Sequence, residues 1–203
     1  MSHRKRFRDV RLSTLSPSPE SWLPVARQQE IIDLLRKSPS DSYLFQGDAG
    51  TGKSHYLTAL HRQAVATSVQ RRWAAGIHER SVWRATTAEL LDEHEAWARR
   101  GEDDDVKPPS ITVGRIRVAS AAGLRPCLFL DEIDKIAATD HKTRTLFGLL
   151  EAVYEAEGQV VATSNASFDE LVAAWSKFGD RAVAALRRVG ADTGAHTVTF
   201  RRG

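Results

Sequence analysis

The chain is predicted to be an α/β domain: a central parallel sheet of five strands, with helices on both faces. Three observations predict it. An apolar stretch, Ser42-Tyr43-Leu44-Phe45-Gln46, runs into a glycine-rich segment and then into residues with helical spacing. Two further apolar runs, residues 127–130 and 159–163, each end abruptly in polar residues, Asp131-Glu132 and Ser164-Asn165. Strands apolar on both sides suit the centre of a parallel sheet. The length, 203 residues with 41% hydrophobic, suits one α/β domain with a sizeable core.

The elements follow in order. Arg4, Lys5, Arg6, Arg8 and Arg11 crowd the first eleven positions, and Pro17, Pro19 and Pro24 follow among serines. Residues 1–23 therefore read as a basic arm and linker. The arm could bind a phosphate backbone or an acidic partner, or serve as a solubilising tail. After the strand at 42–46, residues 54–68 place Leu57, Leu60, Ala64 and Val65 at helical spacing. Val82-Trp83-Arg84-Ala85 reads as a second strand. Thr87 can then cap a helix through Arg100, with Leu90, Leu91, His94 and Trp97 near one face. Residues 99–109, with acids, a glycine and two prolines, read as an exposed loop. The runs at 127–131 and 159–165 supply two strands, and Thr197-Val198-Thr199-Phe200 alternates as the last.

The chemistry concentrates at strand ends. Gly47-Asp48-Ala49-Gly50-Thr51-Gly52-Lys53-Ser54 matches G-x-x-x-x-G-K-[ST], a phosphate-binding loop at a helix N-terminus. Its amides would cradle the β- and γ-phosphates of ATP, with His55 continuing the binding segment. Lys53 would add a positive charge and Ser54 a hydroxyl for Mg²⁺. Asp131 fits an anchor for the same Mg²⁺, and Glu132 fits the base that polarises an attacking water. Asn165 could hydrogen-bond that water or the γ-phosphate. Ligands of parallel sheets bind beyond the carboxyl ends of the strands, where all three would sit.

In that order, residues 47–54, 128–132 and 160–165 resemble Walker A, Walker B and sensor 1 of the AAA+ ATPases. Leu130-Asp131-Glu132-Ile133-Asp134-Lys135 strengthens the likeness, and residues 24–31 resemble the segment beside the adenine. Within AAA+, the chain is similar to the initiator and helicase-loader group, including DnaC-type loaders and IstB-type transposition ATPases. The resemblance covers most of residues 24–200. It implies a three-layer αβα ATPase domain over 24–203, a homo-oligomer, and a DNA-processing partner such as a helicase or transposase. It also implies contact with single- or double-stranded DNA, for which Trp97, Arg99 and Arg100 would suit stacking and phosphate pairing.

Two departures stand out. In the loader group, two arginines four residues apart follow sensor 1 and reach the neighbouring subunit's nucleotide. Here Arg181 fits the first position, Ala185 stands at the second, and Arg187 is the other candidate. The residues after Asn165 are too few for a full helical lid, so the lid is expected to be minimal or absent.

Other readings stay open. An ATP-dependent assembly module with little turnover accommodates Ala185 and the missing second sensor. A small-molecule kinase shares the phosphate loop but lacks use for a water-directed Glu132. The single Cys127 excludes disulfide stapling, and the basic N-terminus has no apolar segment of a signal peptide. With no membrane-spanning run, the expected compartment is the cytoplasm.

Overall fold

The computed structural model describes residues 10–101, 105–135, 140–192 and 194–201. Among them, the chain forms α1 (Val25–Lys37), β1 (Ser42–Gly47), α2 (Lys53–Ala75), β2 (Val82–Thr86), α3 (Thr87–Arg99) and α4 (Val113–Ala121). It continues through β3 (Cys127–Asp131), α5 (Asp140–Glu155), β4 (Gln159–Ser164), α6 (Phe168–Ser176), α7 (Asp180–Gly190) and β5 (Ala195–Phe200). The five strands form one sheet in the order β2-β3-β4-β1-β5, and every neighbouring pair is parallel. The expected α/β sandwich is therefore the observed one. No helix among the described residues follows β5, and none is long and apolar enough to cross a membrane.

Side-chain alternation along the strands splits the core in two. Tyr43, Phe45, Phe129 and Val161 face one way and pack with Ile31, Ile32 and Leu35 of α1 and Leu57 and Leu60 of α2. Leu44, Leu128, Leu130, Val160 and Ala162 face the other way, under α3 to α7. Each fully buried large apolar side chain contributes about 1.5–3 kcal/mol, so this two-sided burial fixes the register of the sheet. Register decides function here, because it aligns the ends of β1, β3 and β4 at one edge.

Residues 10–23 do more than connect. Leu12, Leu15 and Leu23 are buried against α1 and α2. The buried Gln28 amide donates to the carbonyls of Ser18 (2.9 Å) and Leu23 (2.8 Å), and Arg36 donates to Leu15 (2.7 Å). The cations Arg4, Lys5, Arg6 and Arg8 of the expected arm lie outside the described residues.

The β1–β5 pair sets a hard limit at the start of the glycine loop. Gly47 has φ 123° and lies opposite Phe200. A Cβ there would sit 1.9 Å from the Phe200 carbonyl oxygen. We expect Gly47→Ala to destabilise the domain by about 3–5 kcal/mol, read as a lower urea midpoint, because both the backbone angle and the space forbid it. An unchanged midpoint would show that the β1–β5 contact is not made in solution.

Candidate functional site

Parallel strands deliver their carboxyl ends to one edge, and the expected site residues meet there. β1 leads into residues 47–54, where Gly47, Gly50 and Gly52 all have positive φ (123°, 79° and 95°). Only glycine adopts such angles readily, so the loop can curl its amides inward. Gly52 caps α2, whose first residue is Lys53. Asp48, Ala49 and Gly50 are exposed, whereas Thr51 is buried and its hydroxyl donates to the Asp48 carbonyl at 2.7 Å. The amide of His55 donates to Gly52 (2.9 Å), and its ring lies edge-on to Tyr56.

Lys53 is buried, and its Nζ donates to the carbonyls of Gly47 and Asp48, both at 2.7 Å, and to Asn165 Oδ1 at 3.1 Å. Burial holds its pKa below the ordinary lysine range, against the opposing pull of Asp134, Asp48, Asp131 and Glu132. An ammonium satisfied by carbonyl oxygens and an amide oxygen at a loop of this shape is a ready partner for anionic oxygens.

Ser54 and Asp131 come together although 77 residues separate them: Ser54 Oγ donates to Asp131 Oδ1 at 3.0 Å. The same carboxylate oxygen accepts a short bond from Thr163 Oγ1. The Asp131 backbone carbonyl accepts from Thr87 Oγ1 at 3.0 Å, tying the start of α3 to the end of β3. Glu132 has φ 58°, a strained angle for a residue other than glycine. Two bonds hold it: its amide donates to Thr163 Oγ1 (2.9 Å), and the buried Ile133 donates to the Thr163 carbonyl (2.8 Å). The kink turns the chain out of the sheet immediately after Asp131. The Glu132 carboxylate pairs with Lys135 at 2.6 Å. Asn165 follows the end of β4, where its amide donates to Asp134 Oδ1 at 3.0 Å.

Two contributors, Thr163 and Arg84, carry little signal in the sequence. Thr163 organises both acids, and the only sequence signal is a hydroxyl at the end of an apolar strand. Arg84 lies opposite Phe129 in the β2–β3 register. Its Nη1 donates to Thr58 Oγ1 at 3.0 Å, and its Nη2 lies 3.6 Å from Asp131 Oδ2. Burial lowers its pKa, and Asp131 opposes that shift. Its signal was a cation inside an otherwise uncharged strand.

The structure separates the arginine candidates. Ala185 is fully buried in the core under α7, so position 185 cannot present a side chain to another subunit in this fold. Arg181 is exposed in the first turn of α7. Arg187 is exposed in the last turn, about 9 Å farther along the axis. α7 runs down toward the start of β5, with its Gly190 carbonyl accepting from Thr197 Oγ1 at 2.8 Å. Arg188 stacks on Tyr154, 4.2 Å from the ring centre. Just past the end of α3, Arg100 covers the half-buried Trp97 at 3.3 Å, and within α3 Arg99 pairs with Glu95.

The residues fit a nucleoside triphosphate with Mg²⁺ on two grounds. Positive-φ glycines leave a concave loop at a helix N-terminus beside a buried ammonium. A hydroxyl and a carboxylate, both hard oxygen donors, converge at Ser54 and Asp131.

No family model matches the chain, and no curated protein matches it. Solved structures do. The crystal structure of the DnaC helicase loader matches 98% of this chain and 99% of its own length, at 16% identity and a TM-score of 0.61. This chain has the fold of the AAA+ initiators and helicase loaders. DnaI matches 98% of the chain and 94% of its own length, at 11% identity and a TM-score of 0.60. AMPPCP-bound DnaA from Aquifex aeolicus matches at 13% identity and a TM-score of 0.60, over 94% of this chain. The chain spans about half the length of that DnaA and of a DNA replication initiation factor, 50% of each, but nearly all of the DnaC loader. At these identities the likeness carries the loader fold. The geometry above carries the chemistry.

Proposed function

We propose that the chain binds and hydrolyses ATP, oligomerises on nucleic acid, and loads or remodels a DNA-processing partner, in the manner of a replicative helicase loader. The observation that carries this reading is the Ser54–Asp131–Thr163 hydrogen-bond cluster. It joins the glycine loop, β3 and β4 into one site, with Lys53, Glu132 and Asn165 around it. Mg²⁺, when bound, would neutralise phosphate charge beside Ser54 and Asp131. Lys53 exchanges its loop carbonyls for phosphate oxygens. Asn165, released from Lys53, can orient a water that Glu132 polarises. Arg181 of a neighbouring subunit supplies the remaining positive charge.

The neighbours support the biological setting. One DnaA structure contains AMPPCP and single-stranded DNA, and the DnaC helicase loader is matched over 99% of its own length. A transposition-assisting ATPase would use the same site, but among the structures named above the DnaC helicase loader favours the first role.

A second reading, an assembly module with little turnover, is supported by two contacts. The Glu132 carboxylate is engaged by Lys135 at 2.6 Å, and Lys53 is engaged by Asn165. In that case ATP orders the interface and seldom turns over.

A mixing experiment separates the readings. Glu132→Gln lacks the base and Arg181→Ala lacks the neighbour's charge. Each alone is expected to lose ATPase activity, by about 100-fold or more for the first and 10³-fold for the second. Mixed, they regain activity, because some interfaces combine an intact base with an intact Arg181. Two inactive proteins that stay inactive when mixed would remove Arg181 from the shared site.

A further inference from the structure

Beyond the glycine loop, on the other side of α2, lies a cavity of about 840 Å³. Arg11, Arg62 and Arg84 line it, with His61 and Thr58, and no acidic residue does so among the described residues. Leu12, Val65 and Ala66 supply an apolar wall. The size is that of a small-molecule site with a few convergent polar groups.

The donors are not used up. Arg62 spends one bond on the Val10 carbonyl at 3.1 Å. Arg84 bonds Thr58, and its other terminal nitrogen faces Asp131 at 3.6 Å, beyond good hydrogen-bond distance. A guanidinium carries five N–H donors, so capacity remains on each. His61 lies between these arginines. Its Nε2 is buried without a hydrogen-bond partner among the described residues. Burial, then Arg84, Arg80 and Arg62, push its pKa down to about 4. Burial is the larger cause of that shift; the arginines are the smaller one, and it is their positive field that attracts an anion.

We propose that this cavity is a second anion site, distinct from the glycine loop, which takes a compact nucleoside diphosphate: phosphates on Arg11, Arg62 and Arg84, base against Leu12, Val65 and Ala66. Phosphates suit planar guanidinium groups, which bind them by paired hydrogen bonds. The site also has a line to the first one. Arg84 is shared between the cavity and Asp131, so an anion that draws Arg84 away changes the charge around Asp131, and nucleotide at the glycine loop must alter affinity here in return. That coupling, unlike the binding itself, rests on the proposed ATPase reading.

The test uses Lys53→Ala protein, in which nucleotide binding at the glycine loop is weakened about a hundredfold, and calorimetric titration with ADP and with inorganic pyrophosphate at concentrations below those that fill the weakened loop. One ADP per chain is expected to bind, more tightly than pyrophosphate. Adding Arg11→Ala and Arg62→Ala should weaken ADP by about tenfold or more. Gln63→Glu, at an exposed cavity residue, should weaken it while leaving packing intact, which guards against a fold defect in the arginine variant. No ADP binding in the Lys53→Ala protein, or binding indifferent to all three changes, would overturn the site. Equal affinity for ADP and pyrophosphate would overturn the nucleoside part. A single-stranded oligonucleotide that binds through Arg11 and Arg62 when ADP does not would replace the ligand class with nucleic acid. Because Lys53 is already removed, a failed ATPase reading leaves each of these results interpretable.

Discussion

Glu132→Gln is expected to lower ATP turnover by about 100-fold or more while leaving ATP affinity within a factor of about two. The reason is local. Glu132 hangs from a strained backbone position, φ 58°, held by two hydrogen bonds to Thr163. Those bonds use the amides of Glu132 and Ile133, not the carboxylate, so the amide variant keeps its frame. Among the described residues the carboxylate itself pairs only with Lys135, and that pair is exposed. Breaking an exposed pair costs little. What the variant loses is the acceptor for a proton from water. Phosphate release measured beside equilibrium ATP binding reads both halves of the expectation. Turnover equal to the parent's would remove Glu132 from the chemistry.

Lys53→Ala is expected to weaken ATP binding on the order of a hundredfold, the loss of two charge-assisted hydrogen bonds of about 1.5 kcal/mol each. Lys53 is buried, and burial alone would depress its charge. Its present partners are two loop carbonyls and one amide oxygen, which stabilise a cation less than phosphates do. Bound phosphate therefore gains from a charge already desolvated. Without nucleotide, the variant should unfold at a urea concentration close to the parent's, since the loop loses a buried cation along with its bonds. Titration of ATP against both proteins checks the first claim. Parent-like affinity would contradict it.

Local spacing made the core of this site legible. Residues 47–54 are contiguous, and the loop needs only its own glycines to form. Asp131, Glu132 and Asn165 were legible because a buried strand that ends in a polar residue announces the carboxyl edge of a sheet. Arg84 and Thr163 were not, because their roles arise from register between strands far apart in sequence. Nor was the backbone angle of Glu132, which tertiary contacts impose. Position 185 reads as a departure from the motif by its spacing from Arg181, and the fold gives the reason: the apolar face of α7 includes it, and Ala185 is core. The prolines of 17–24 pointed to a linker, whereas Leu12, Leu15 and Leu23 found room between α1 and α2. α2 itself runs to Ala75 rather than Ser68, because its last turns are largely solvated, with Trp73 84% exposed, and so lack an apolar stripe. A left-handed Gly76, φ 65°, ends it.

On the proposed function, one chain holds half of a hydrolytic site and a neighbour's Arg181 completes it. The most direct measurement is ATP turnover per subunit as protein concentration rises, with saturating ATP·Mg²⁺ and with single-stranded DNA present. The rate per subunit is expected to climb with concentration to a plateau in the parent and to stay near zero in Arg181→Ala. A rate per subunit that is the same at every concentration, and unaltered by Arg181→Ala, would contradict it.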